Sequence, residues 1–425
     1  MSEINAVRPK VLQNFKVNLI SGISQQIWDI SGNASRLDIY ESLYSPVLSA
    51  ELTIMDDSNL ISEIPILGQE IVQIYWQYRD KEIYKDFHVS EILDAKQLGE
   101  NYGAYRIKLV THKQYLNSIN LFSRSYSGRN TEIISNIHQD YLVQPVEVLS
   151  EGGSSHNVVF PYLKPYEAIN NILYTTFAAD RTPLFLYETV NSEEVKLQSF
   201  GDMMSAENAL IYRNQNTTHS NELGQGIRDL PSVGPTVSDQ VLKNAYPTFR
   251  NISDGYFASD TTTIDISGKT IREQAYNYRD NLTEFNENHN QYFSDQYKLD
   301  EQTFDQMNRS NNLVYINNSQ AFNSSVGNLY QLDSIQRATS RAYLNTMDNS
   351  VVLFNADPNT DLEVGLLADL HFKRMKPNLD SNNDYDNINS GVYLITAIKH
   401  TLKDKKYTLT CEAMRSGINY EVKLT

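Results

Sequence analysis

The 425-residue chain has one cysteine, two tryptophans and a shortage of positive charge. The lone Cys411 rules out an intrachain disulfide framework and a thiolate zinc site, and its alternating strand position marks it as a small buried hydrophobe. No window approaches the roughly 18 consecutive apolar residues of a membrane-spanning helix, and MSEINAVRPKVLQNFKV lacks the basic-then-apolar order of a secretion signal. Without secretion, triplets such as Asn251-Ile-Ser253 and Asn281-Leu-Thr283 reflect only the abundance of Asn, Ser and Thr. Against 52 Asp and Glu stand 36 Lys and Arg, a net charge of −16. Neutralising a phosphate backbone takes clustered cations, so sequence-specific nucleic-acid binding is not expected.

Catalytic motifs are missing too. There is no nucleophile elbow, no phosphate-cradling Gly loop and no His pair at i, i+4; the eight histidines, at 88, 112, 138, 156, 219, 289, 371 and 400, are scattered. The nearest approach to a metal motif is DSNNDYDNINSG (residues 380–391), which sets Asp380, Asn382 and Asp384 at the first three ligand positions of a calcium loop. It then has Tyr385 where the sharp turn needs Gly, and Gly391 where a bidentate Glu closes the site, so a solvated hairpin loop is expected. Asp56-Asp57 and Glu193-Glu194 fall in turn sequences, where carboxylates cap amides and face water; general acid or base work needs one buried beside a partner. The expectation is no enzyme activity, no cofactor, and no catalytic, cofactor-binding or metal-binding residue. Partner-interface residues are not assignable from the sequence.

What the chain does have is 28 tyrosines and a 40% apolar content, enough for real cores in the roughly three domains its length suggests. FKVNLI, SRLDIYESLY, AELTIMD and EIVQIYWQY alternate with period two and are separated by turn chemistry at Ser45-Pro46, Asp56 to Asn59 and Gly68. From residue 114 to 205 the period shifts to about 3.6. NTEIISNIHQDYL reads as a helix capped by Asn130 or Thr131, with Ile133, Ile134, Ile137 and Tyr141 on one stripe. LKPYEAINNILYTTF reads as a helix with Pro165 at its first position and Ala168, Ile169, Ile172, Leu173 and Thr176 buried. PLFLYETV and EVKLQSF form a hairpin. Residues 206–345 turn polar and Asn-rich, with a strand pair in DGYFASDTTTIDISGKTI and a helix in NLYQLDSIQRATSRAYLNTM whose stripe is Leu332, Ile335, Ala338 or Thr339, and Ala342. NSVVLFNADP and LEVGLLADLHF then return to period two.

The sequence also repeats itself. FHVSEILDAKQLGENYGAYRIKLVTHK (residues 87–113) and YLITAIKHTLKDKKYTLTCEAM (residues 393–414) are both alternating hairpins. In the first, Phe87, Val89 and Leu93 share a face with Tyr105, Ile107 and Leu109; in the second, Tyr393, Ile395 and Ala397 share one with Tyr407, Leu409, Cys411 and Ala413. A Gly and a strand precede each, LGQEIVQIYW and VGLLADLHF. The terminal INYEVKLT (residues 418–425) alternates as well, fit to add to a neighbour's sheet or to finish its own barrel.

With its "SLY" loop and Gly-x-Glu before an outgoing strand, SRLDIYESLYSPVLSAELTIMDDSNLISEIPILGQEIVQI (residues 35–74) resembles the opening barrel of the central baseplate hub proteins of contractile-tailed, T-even-like bacteriophages. KPYEAINNIL with FLYETV and VKLQSF resembles that family's inserted α+β domain, and LYQLDSIQRATSRAYL through MRSG its last helix and second barrel. The likeness is of pattern and order over nearly the whole chain, at low identity. It implies a mainly β fold with α+β insertions: two tail-tube-like antiparallel β-barrels per chain plus two inserted smaller domains. The boundaries are residues 1–113 for the first barrel, 114–205 for an α+β domain of two helices and a hairpin, and 206–268 with 346–418 for a split second barrel. Residues 269–345 form a polar, Asn-rich helical insertion, and 419–425 a terminal strand or tail. The chain departs from the family in its long insert around residues 285–325, and it stops at Thr425 with no needle or lysozyme-like domain, so a spike would be another chain.

The function implied is structural: a homotrimer whose six barrels adapt a six-fold tail tube above to a three-fold tail spike below. DNA would pass through its channel as unbound cargo, kept mobile by acidic walls, or the acidity would serve ordinary solubility. Neighbouring baseplate proteins complete the partners, with no membrane span, in the virion's tail baseplate after assembly in the host cytoplasm. The alternatives are a receptor- or carbohydrate-binding tail protein, with tyrosines as sugar platforms, the hub part of a type VI secretion-like spike, and a tail-associated hydrolase.

Overall fold

The computed structural model describes residues 12, 14–57, 60, 64, 66–79, 81–99, 102–153, 155–174, 176–206, 209–214, 236–245, 247–266, 268–281, 298–299, 301–303, 312–317, 334–356, 358, 361–372, 386 and 388–417. The calcium-like positions 380, 382 and 384, most of the Asn-rich insert and the terminal INYEVKLT lie outside them.

The first run of strands is β1 (Asn14–Ile20), β2 (Ile27–Asp29), β3 (Ala34–Ser42), β4 (Ser49–Asp56), β5 (Ile71–Tyr78), β6 (Lys81–Gly99) and β7 (Tyr102–Thr111). An α+β unit follows: α1 (His112–Ile119), β8 (Phe122–Arg129), α2 (Asn130–Leu142), β9 (Val146–Val148), β10 (Ser155–Leu163), α3 (Pro165–Leu173), β11 (Leu184–Glu188), β12 (Val195–Ser199) and α4 (Phe200–Met204). Next come β13 (Leu210–Asn214) and β14 (Thr236–Ala245). A second insertion holds α5 (Thr248–Ser253), β15 (Ala258–Asp265), β16 (Thr270–Asn277), α6 (Tyr278–Asn281), β17 (Lys298–Leu299), β18 (Gln302–Thr303), β19 (Asn312–Asn317) and α7 (Ser334–Thr346). The chain closes with β20 (Ser350–Ala356), β21 (Leu367–His371), β22 (Gly391–Lys403) and β23 (Lys406–Arg415).

One thirteen-stranded sheet runs β2-β1-β5-β6-β7-β4-β3-β22-β21-β13-β14-β20-β23, and β22 pairs β23 as well. It contains the same arrangement twice. The first six long strands lie in the order β1-β5-β6-β7-β4-β3, and the last six in the order β13-β21-β22-β23-β20-β14, which is the same permutation of chain order. Five of the six also run in matching directions, each antiparallel to its neighbour. The sixth is reversed: β1 is antiparallel to β5, whereas β13 is parallel to β21 and pairs in parallel with β14, which closes the second set into a ring. Apolar residues of both copies form one continuous core, from Val17 and Trp76 to Phe354 and Cys411, each at most 1% exposed. The edge-to-face rings of Tyr78 and Tyr407, 5.3 Å apart, join its halves.

The two repeated hairpins share an irregularity that pattern alone does not reveal. Each long strand carries a bulge at the same place, between Val89 and Glu91 in β6 and between Ile395 and Ala397 in β22. A bulge inserts one residue and so inverts the inside–outside parity beyond it. Ile92 therefore takes the inward position opposite Ile107, while Leu93 faces Arg106. Likewise Ile398, 1% exposed, packs opposite Cys411, and Ala397 is only half-buried. The expected placement of Leu93 and Ala397 on the buried face is corrected accordingly. Gly68 and Gly365, which open the two repeats, both sit at positive φ, +83° and +86°, where a side chain is strained.

The α+β unit has its own core of Ile133, Ile134, Ile137, Ala168, Ile169, Ile172, Leu186 and Leu197. β11 and β12 form the expected hairpin, with β9 added in parallel. The cap of α2 differs from expectation: the Arg129 amide donates to the Glu132 carboxylate at 3.0 Å, and Asn130 and Thr131 lie inside the first turn. Asn130 is buried and donates to Thr176 Oγ1 at 2.7 Å. β15, which falls in residues 206–268 expected for the second barrel, instead pairs with β16 and β19 in a separate sheet. Its core of Phe257, Tyr276, Tyr278 and Leu313 packs on Ala338 and Ala342 of α7, so the second insertion begins before residue 269.

Candidate assembly interface

The two copies meet along a seam where β3 pairs antiparallel with the second half of β22, from Ala397 opposite Ser42 to Lys403 opposite Arg36. The bulge makes this possible. Before it, β22 pairs with β21; after it, the same edge of β22 is released to β3. Polar groups are buried in the seam. Glu41, 1% exposed, accepts from the Val190 amide at 2.5 Å and lies 3.2 Å from His400 Nε2. His400 Nδ1 reaches the Tyr407 hydroxyl at 2.7 Å, and burial, then the Glu41 charge, raises that hydroxyl well above the ordinary tyrosine range. Thr401 donates to Asp38 at 2.6 Å, and Arg36 and Lys399 approach the same carboxylate at 2.8 and 3.5 Å. A buried charge survives only with such partners.

Lys113 of α1 and Lys85 of β6 also hold the β11–β12 turn. Lys113 donates to Glu188 Oε1 and to the Glu193 carbonyl, both at 2.7 Å, and Glu188 Oε2 accepts from the Leu48 amide at 3.1 Å. Lys85 donates to the Ser192 carbonyl at 2.7 Å, and burial lowers its proton affinity. The turn is thus fixed to the barrel by cations that find carbonyls and one carboxylate out of water.

The strands that correspond to this seam in the other copy lack a strand partner there among the described residues. After its bulge, β6 pairs with β7 alone, and among the described residues no strand takes the edge of Ser90–Gly99 that β5 leaves free. β14 corresponds to β3, yet β13 touches only its first two residues, so from Ser238 onward one edge has no strand partner among the described residues. Val241 and Leu242 there are 56% and 47% exposed, and Leu98 on β6 is 57% exposed.

Among the described residues no group of three or more His, Cys, Asp or Glu side chains is placed to hold a metal. Two of the scattered histidines do come together: His88 Nε2 and His112 Nδ1 are 2.8 Å apart, and Tyr115 stacks on His88. Sequence spacing missed them because β6 and α1 are joined through the hairpin rather than along one helix. Partial burial and the neighbouring His112 lower the proton affinity of His88. His219 and His289 lie outside the described residues. Cys411 is fully buried, which raises its thiol pKa. Asp56 caps the Leu60 amide at 2.8 Å and is buried, whereas a water-facing position was expected.

The whole arrangement matches solved structures. A tail protein from Neisseria meningitidis MC58 superposes with a TM-score of 0.54 at 8% identity, covering 95% of this chain and 96% of that one. The 43 kDa tail protein of prophage MuSo2 from Shewanella oneidensis does so with a TM-score of 0.53 at 10% identity, covering 95% and 99%. The chain has a tail-protein fold. No family model matches its sequence, and no curated protein does. The duplicated sheet with two insertions is therefore mainly β, as the hub resemblance implied, and the fold is shared over 95% of the chain with two tail proteins at 8% and 10% identity.

Proposed function

We propose that this protein is the structural hub of a phage tail baseplate, a homotrimer of double-barrel subunits between a six-fold tail tube and a three-fold spike. The observation that carries this is the duplication: five strands repeat in order and direction, with the same bulge and the same positive-φ glycine, and the copies are joined edge to edge. Two equivalent units per chain give three chains six equivalent positions, which is what a six-fold partner requires. The tail-protein fold supports the setting. The proposed role is mechanical and includes no catalytic step. A net charge of −16 suits a channel wall that repels DNA and lets it pass. The tube, the spike and neighbouring baseplate proteins are the proposed partners, and the virion tail the proposed location.

The test is the mass in solution, by light scattering after gel filtration, alone and with the tube and spike proteins. The expected result is three times 48.6 kDa, either alone or on adding the spike. A single-chain mass under all these conditions overturns the proposal.

A further inference from the structure

We infer that the free edge of β6 in one subunit receives β14 of the next, antiparallel, in the register that β22 and β3 already adopt within the chain. The seam presupposes the trimeric ring proposed above and names the surface that closes it.

The two copies supply the template. Aligned at their common bulge, Glu91 falls on Ala397 and Leu93 on Lys399; beyond the second irregularity of β6, Lys96 falls on Thr401, because Ala104 opposite Lys96 corresponds to Thr408 opposite Thr401. Followed through the ladders of β7 with β4 and of β23 with β20, Tyr40 falls on Asn244 and Asp38 on Val241. Within the chain, Lys399 lies opposite Tyr40 and Thr401 opposite Asp38. The transferred register sets Leu93 opposite Asn244 and Lys96 opposite Val241 of the neighbouring copy.

Three observations favour a second copy as the occupant. First, β6 and β14 are each half of the same junction, and among the described residues each lacks the half that the other offers. A β6 edge meeting a β14 edge once per pair of chains is a head-to-tail contact, the kind that builds a ring when its rotation closes, as the proposed trimer requires. Second, long unpaired edges are normally blunted or covered, yet β14, whose edge from Val241 has no strand partner among the described residues, exposes Val241 and Leu242. Third, the register brings Lys96 one diagonal from Asp239, and Asp94 beside Lys243, which within the chain pair with Arg106 and Glu412, so opposite charges meet at cross-strand distance.

Paired cysteines read the register directly. Directly opposed residues in antiparallel strands have Cα atoms about 5 Å apart, within disulfide reach, and native Cys411 is buried at 0% exposure and takes no part. The full chain carrying Lys96→Cys with Val241→Cys, or Leu93→Cys with Asn244→Cys, is expected to oxidise mostly to a covalent trimer on a non-reducing gel. The offset pair Leu93→Cys with Val241→Cys is expected to cross-link at least tenfold less. A trimer by light scattering that cross-links through neither matched pair overturns the seam and leaves the ring standing. Equal cross-linking by the offset pair overturns the register. A single-chain mass with no cross-link at every concentration, with and without the spike, overturns both.

Discussion

Glu41 and His400 face one another across the seam between the two copies, Oε1 to Nε2 at 3.2 Å, with both side chains almost wholly buried. The ring passes the contact on to Tyr407, and the carboxylate passes it to the amide of Val190, so one cluster ties β3, β22, β23 and the β11–β12 turn together. Replacing Glu41 with Ala strands these donors in an apolar core. A loss of about 3 kcal/mol in unfolding free energy is expected, read by urea denaturation.

Lys113 and Glu188 form a second buried pair, 2.7 Å apart and at most 4% exposed. Removing one partner leaves an uncompensated charge, so Lys113→Met is expected to cost about 3–5 kcal/mol. Lys113→Met with Glu188→Leu is expected to recover a large part of that loss. A loss in the double variant equal to the sum of the losses of Lys113→Met and Glu188→Leu alone would show that the pair's charges are not coupled.

Acid weakens the inserted domain through His138. Burial is the main cause that lowers its pKa to about 4, against a lesser opposing effect of its Gln144 carbonyl partner, from about 6.5 in an unfolded chain. Because the folded value lies below the unfolded one, the neutral ring contributes stability in full above pH 6.5, and that contribution is lost as pH falls through 4. The full contribution is about 3 kcal/mol. His138→Gln is expected to flatten this part of the pH dependence, measured by urea midpoints between pH 7 and 4.

The two repeat glycines are expected to respond unequally. A Cβ at Gly68 meets nothing within 4 Å, so Gly68→Ala is expected to cost only backbone strain, about 1 kcal/mol. A Cβ at Gly365 falls 2.7 Å from the Tyr187 hydroxyl, so Gly365→Ala is expected to cost more, with Tyr187→Phe recovering part of the difference. Thermal melting of the three variants compares them.

Charge placed on the open β14 edge separates assembly from folding. Val241→Glu with Leu242→Lys leaves the exposed strand of a single chain undisturbed, since neither side chain is buried there. In the proposed trimer it is expected to weaken association at least tenfold, about 1.4 kcal/mol, by sedimentation at graded concentration.

Strands whose one face is buried were legible, because alternation with period two survives wherever the core lies on one side: Val72, Ile74 and Trp76 of β5 are all at most 1% exposed, with half-buried residues between. The helices α2 and α3 were legible from their apolar stripes. β8 was not, because only Phe122 and Tyr126 of its eight residues are buried and no alternation remains. Nor was α1, which buries Lys113 and Asn117 rather than an apolar stripe.

The amino-acid sequence by itself determined the repeat. Two alternating hairpins, each behind a glycine that needs positive φ, are local properties of the chain, and they specify two sheets of one kind. Only the tertiary structure decided how those sheets meet. A bulge inverts parity without altering composition, and a ladder between residues hundreds of positions apart leaves no local trace. The pairing of β3 with β22, the burial of Glu41 against His400, and the two edges that have no strand partner among the described residues therefore became visible only once the chain was folded.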